Sequence, residues 1–107
     1  MNSKLKDPVN DAFFKAVLML DDLDDCYAFF EDVCTIAEIK SLSQRFKVAQ
    51  MLDAGKTYSE ICEETKVSTA TISRVNRALG YGADGYRRIL DKIKVKKMNE
   101  SRSDKWE

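Results

Sequence analysis

A chain of 107 residues holds one domain around a single core, not two. Apolar residues make up 44% and charged residues 34%, a soluble globular composition. The 18 basic side chains balance 18 acidic ones, so net charge argues for no nucleic-acid or membrane partner; such a case rests on where the charges sit. The absence of histidine excludes serine-protease-type triads and histidine-based zinc sites, and one proline with four glycines leaves little room for a many-turned β fold.

In chain order, Met1 to Asp7 is polar and unlike a signal peptide. Asp7 reads as an N-cap with Pro8 at the first helical position, where its missing N–H costs nothing. The helix that follows, Val9 to Leu20, carries Phe13, Phe14, Val17, Leu18 and Leu20, an apolar surface wider than one stripe. The longest apolar run, Ala16 to Leu20, is far too short to span a membrane. Asp21, Asp22, Asp24 and Asp25 open a second helix, where carboxylates complement the positive end of the dipole. It runs to about Cys34 with Cys26, Tyr27, Phe29, Phe30 and Val33 apolar. The three isolated cysteines, Cys26, Cys34 and Cys62, suit core positions in a reducing cytosol, and the chain is expected to be cytoplasmic.

Thr35 and Glu38 form a capping-box pattern that starts a third helix, Ile36 to about Ala54. Ile39, Leu42, Phe46, Ala49 and Leu52 recur there at three- and four-residue spacings, and Gly55 ends it. A second capping box, Thr57 with Glu60, opens a short helix to about Thr65. Ser68 caps another reaching about Leu79, broken by Gly80 to Gly82. A final amphipathic helix covers Asp84 to Lys96 with Tyr86, Ile89, Leu90 and Ile93 apolar, and residues 97–107, Trp106 included, read as a frayed polar tail. The fold class is all-α, with about six helices in one domain: dimerisation helices over 1–55, a helix-turn-helix over 57–79, and a C-terminal helix over 84–96.

The balanced total hides a strong asymmetry. Met1 to Lys40 holds 4 basic and 9 acidic residues, whereas Ser68 to Lys97 holds 8 basic and 2 acidic. That basic stretch overlaps two short helices whose joint, Lys66, Val67 and Ser68, is so brief that they must cross steeply. Ile61, Val67, Ile72 and Val75 fix the crossing, and Cys62 stands where a small residue allows close approach. Ile72, Val75 and Leu79 form the buried stripe of the second helix; Thr69, Ala70, Ser73, Arg74 and Arg77 form its open face. Small side chains first and cations later suit end-first entry into a major groove, with Arg74 and Arg77 reaching guanine edges or phosphates. Lys56, Lys66, Arg77, Arg87 and Arg88 are candidates for phosphate neutralisation. Lys66 occupies the turn position where glycine is usual; if it is left-handed it costs on the order of 1 kcal/mol.

The strings Leu42 to Leu52, Gly55 to Ile61 and Ser68 to Arg77 resemble the tryptophan repressor family, and Ser68 to Arg77 followed by Gly80 to Gly82 is similar to its YerC/YecD branch. The likeness covers about Ser41 to Tyr81 well and Phe13 to Lys40 more loosely. It implies an intertwined homodimer with projecting helix-turn-helix units, acting as a transcriptional regulator, in the family's manner a repressor, on a palindromic double-stranded DNA site. The apolar faces agree with a dimer: Phe13, Phe14, Phe29 and Phe30 would each bury on the order of 150–250 Å², and left open they make too large a patch for a monomer. The resemblance also places Thr35, Arg45 and Arg74 where the family holds tryptophan. The glycine after the second arginine is Val75 here, whose branched side chain takes the indole's space, so no corepressor is required and L-tryptophan or a similar ligand is disfavoured. Arg45 pairing with an acidic N-terminal helix and Arg74 contacting DNA are the alternative roles. Ser59 stands where the family has a base-contacting arginine, which implies a different operator.

Two other functional classes compete with DNA reading. The alternative to DNA reading is that the αα corner serves as a protein-docking module, in which case Arg74 and Arg77 matter for a partner and not for DNA. An enzyme is disfavoured: there is no phosphate-binding glycine loop, and no Cys, Asp or Glu spacing resembles a metal site.

Overall fold

The computed structural model describes residues 3–105, with side chains as far as residue 101. Six helices follow in order: α1 (Pro8–Val17), α2 (Leu23–Val33), α3 (Ile36–Asp53), α4 (Tyr58–Thr65), α5 (Thr69–Tyr81) and α6 (Gly85–Lys105), and there is no strand among the described residues. The chain divides into two compact units, Met1–Ile39 and Lys40–Glu107. The division falls inside α3 and not at the Gly55 turn, because Val48, Ala49 and Met51 on its later part belong to the core of the second unit.

In the N-terminal unit, the Asp7 side chain accepts from Asn10 N–H (2.7 Å) and Pro8 opens α1. Asp22 caps α2, its side chain accepting from Asp25 N–H (2.8 Å). Helix α1 ends three residues short of the expected Leu20. Phe13 stacks on Phe29 at 5.9 Å between centroids, and Phe30 meets both edge-on. Yet no side chain of α1 or α2 is fully buried within this single chain, and Val9, Phe14, Leu18, Met19, Leu23 and Tyr27 stand open.

The second unit has the tight core. Val48, Ala49, Met51, Ile61, Ile72, Val75 and Leu90 are buried, with Phe46, Leu52, Tyr58, Cys62, Val67, Leu79 and Tyr86 packed around them. Each large aliphatic side chain among them contributes about 1.5–3 kcal/mol by leaving water. The apolar spacing in α3 identified Ala49 but not Val48 or Met51, and Leu42, expected on the same stripe, is open. Gly55 ends α3 with φ +83 in a Schellman motif: Lys56 N–H donates to Met51 C=O and Gly55 N–H to Leu52 C=O, both at 3.0 Å.

Two features at the C-terminal end differ from expectation. Helix α5 runs through Gly80 to Tyr81, because an interior glycine weakens a helix without breaking it; the stop comes at Gly82, whose N–H donates to Ala78 C=O (2.9 Å). Helix α6 continues to Lys105 instead of ending at Lys96, since the polar residues 97–105 are mostly good helix formers that need no apolar face. Trp106 lies outside the described residues. On α6, Leu90 is buried and Tyr86 packs inward, whereas Ile89, expected in the core, is exposed.

Candidate nucleic-acid interface

The site is built on α4, a three-residue turn and α5. Helix α4 starts at a complete capping box: Thr57 Oγ1 accepts from Glu60 N–H (3.2 Å), and Glu60 Oε1 accepts from Thr57 N–H (3.1 Å). Those hydrogen bonds hold the Glu60 carboxyl below its ordinary range. At the other end, Thr65 Oγ1 donates to Ile61 C=O (2.7 Å) and accepts from Val67 N–H (3.3 Å), which ties the turn to the helix before it. Lys66 is left-handed, φ 62 and ψ 16, the conformation in which a Cβ costs about 1–2 kcal/mol. Ser68 then caps α5, its Oγ accepting from Thr71 N–H (3.1 Å).

This framework sorts the faces of α5. Ile72 is 0% and Val75 3% exposed, and Leu79 packs beside them. Thr69, Ala70, Ser73, Arg74 and Arg77 are all exposed, as their positions in the sequence implied. Asn76, which sequence reasoning passed over, stands exposed at the edge of the same face; an amide there can pair with an adenine edge. Its signal was its four-residue step from Ile72, which marks the border of the buried stripe.

Behind the reading face, Arg45, Thr71, Arg74, Val75, Ala78 and Tyr86 line an open cleft of about 340 Å³. The structure thus brings Arg45 and Arg74 together, neither paired with a carboxylate among the described residues. Val75 belongs to both the cleft wall and the buried core. Tyr86 in the wall was not foreseen; it was assigned only as an apolar residue of α6. Thr35 lies in the N-terminal unit, where its hydroxyl accepts from Glu38 N–H (3.1 Å) and its N–H donates to the Glu38 carboxylate (2.9 Å).

The expected phosphate-facing cations separate into two kinds. Lys66, Arg77 and Arg88 are exposed and without an ion pair among the described residues, and Lys56 makes only a loose exposed contact with Glu60 at 3.9 Å. Arg87 is placed otherwise than expected. Its guanidinium donates to Asp53 at 2.8 Å and reaches Asp91 at 3.4 Å, and Lys94 holds the second Asp53 oxygen at 2.7 Å. Hydrogen bonds from Lys94 and then Arg87 keep the Asp53 carboxyl below its ordinary range, and Asp53 in turn raises Arg87. The pair of cations fastens α6 to the end of α3, so Arg87 is a structural clamp and its charge is already met.

The family model for the Trp repressor protein matches residues 10–94. The chain belongs to the Trp repressor protein family. Members of this family are regulators, not enzymes, and among the described residues no group of side chains could hold a metal ion. The family protein is 54% identical over 91 residues to YerC of Bacillus subtilis, which covers 85% of this chain and 88% of that one. It is similar to a TrpR-like protein from Eubacterium eligens, with TM-score 0.82 and 59% identity over 86% of this chain and 95% of that one. A candidate Trp repressor from Staphylococcus aureus follows, with TM-score 0.81 and 49% identity over 85% and 91% of the two chains. No described helix is long and apolar enough to cross a membrane.

Proposed function

We propose that this Trp repressor family protein is a sequence-specific DNA-binding transcriptional regulator, a repressor in the manner of its family, that acts as a homodimer on a palindromic site. One observation carries the reading: α5 is anchored from behind by Ile72 and Val75 while Thr69, Ala70, Ser73, Arg74 and Arg77 all face solvent on one side. Thr69, Ala70, Ser73 and Arg74 read base edges, and Lys56, Lys66 and Arg77 neutralise phosphates. The second copy covers the apolar surface that α1 and α2 leave open, and sets two reading helices ~34–36 Å apart in successive major grooves.

No small molecule is required in this account. Val75 stands in the wall of the cleft beside Arg45 and Arg74, where its branched side chain narrows the room for an indole, so L-tryptophan is expected to leave DNA binding unchanged.

Selection of bound duplexes from a random pool, with and without L-tryptophan, tests the proposal. The expected result is one enriched motif with two-fold symmetry, weakened at least tenfold by Arg74→Ala. Fluorescence anisotropy on that duplex should give a log–log salt slope of roughly −5 if six phosphates are neutralised per dimer. A pool that stays random through selection, at low salt and with an intact dimer, refutes DNA reading and leaves the αα corner to a protein partner.

A further inference from the structure

The excess of cations does not stop at α5. As far as residue 101, α6 carries Arg87, Arg88, Lys92, Lys94, Lys96 and Lys97 against Asp91 and Glu100. The structure divides these cations by direction. Arg87 and Lys94 are held by Asp53 and Asp91. Lys97 is exposed on another flank, and Arg88, Lys92 and Lys96 are exposed and, among the described residues, in no ion pair. Steps of four residues keep side chains on one flank of a helix, so the three form a stripe about 12 Å long, on the side away from buried Leu90. Lys96 also lies past residue 94, where the family match ends.

Like charges four residues apart repel, and the first carboxylate of α6 in the same series, Glu100, follows the stripe's end, so Arg88, Lys92 and Lys96 keep a repulsion that a polyanion relieves. DNA offers one phosphate per ~3.4 Å of axis on each strand, and a 12 Å stripe faces about three or four of them. A lipid surface fits less well, because insertion needs one continuous apolar flank. Here the exposed apolar residues fall on opposite sides of the stripe, Ile89 on one and Val95 with Met98 on the other. Only Gly82, Ala83 and Asp84 separate α6 from the end of α5.

The geometry points to α6 as a second DNA contact, in which the Arg88, Lys92 and Lys96 stripe grips backbone phosphates flanking the base pairs that α5 reads. This inference rests on the DNA-reading function proposed above.

The test compares the full chain with the triple variant Arg88→Gln, Lys92→Gln, Lys96→Gln on two duplexes. One ends at the edge of the selected motif; the other adds about one helical turn, ~10 base pairs, of unrelated sequence on each side. The wild type should bind the longer duplex more tightly, with a salt slope steeper by about 2 to 5, for two to six added contacts per dimer at ~0.9 each. The variant should lose that gain while enriching the same motif and keeping its sedimentation mass and helical circular dichroism. Equal slopes for wild type and variant on the longer duplex overturn the inference while leaving the α5 reading intact. Failure of the wild type to enrich any motif overturns both. A variant with unchanged slopes but weaker self-association assigns the stripe to the acidic N-terminal unit of a second copy, and one that loses only binding to anionic phosphatidylglycerol vesicles assigns it to a membrane; each also overturns the inference.

Discussion

Lys66→Gly separates folding from binding at one position. A lysine at φ 62 carries about 1–2 kcal/mol of left-handed backbone cost, which glycine does not. Glycine gives back roughly 0.5–1 kcal/mol through its larger freedom in the unfolded chain. The net expectation is a gain centred on ~0.75 kcal/mol per protomer, within a span of about 0–1.5, or roughly 3–6 °C in Tm. The same change deletes a proposed phosphate contact from each half of the dimer, so the salt slope should become shallower by about 2. Urea unfolding at fixed protomer concentration reads the first effect and anisotropy against salt reads the second; fixed concentration matters because assembly contributes to apparent stability. Lys66→Ala serves as the control, losing the charge without relieving the backbone. If the glycine variant is no more stable than the alanine variant, Lys66 is not left-handed in solution and the turn geometry is refuted. If stability rises but the slope stays fixed, Lys66 does not meet DNA.

The two glycines at the end of α5 should respond in opposite directions. A Cβ on Gly82 would lie 2.3 Å from the Ala78 carbonyl oxygen, so Gly82→Ala should lower stability by about 1–3 kcal/mol, whereas Gly80 has open space and Gly80→Ala should raise it by about 0.5–1 kcal/mol in thermal melts. Asp53→Asn should cost about 1–2 kcal/mol by loosening both cations from the end of α3, after allowance for solvent. Because the folded state lowers the Asp53 pKa, its contribution is complete above the ordinary carboxylate value and is lost as pH falls through the lowered one; the difference between wild type and variant in urea melts should hold steady from neutral pH to about 4 and shrink below it. Calorimetry of the purified protein with L-tryptophan should show no saturable heat, and a saturable isotherm would refute the role given to Val75.

The helix starts were legible because they are local. Asp7, Thr57 and Ser68 each satisfy a backbone donor three residues on, and the sequence displays both partners of each cap. The reading face of α5 was legible for the same reason, since the 3.6-residue helix period puts Ile72 and Val75 on one side and Ser73, Arg74 and Arg77 on the other. What escaped was the long-range pairing. Arg87 and Asp53 are 34 residues apart, and nothing near either one marks it as a clamp instead of a free charge. The end of α6 escaped because a solvated polar helix has no apolar rhythm to extend. Helix α3 misled the stripe assignment, with Leu42 open and Val48 and Met51 buried, because apolar residues occupy several of its sides.

Helices α1 and α2 close no core of their own in a single chain, and that has a bearing on dosage. In the dimer proposed above, two protomers must meet before either has its apolar surfaces covered. At scarce supply the concentration of competent dimers then rises with the square of the protomer concentration, and growth that halves the protomer concentration lowers it to about one quarter. A regulator assembled in this manner responds to its own abundance as a threshold, without any added ligand.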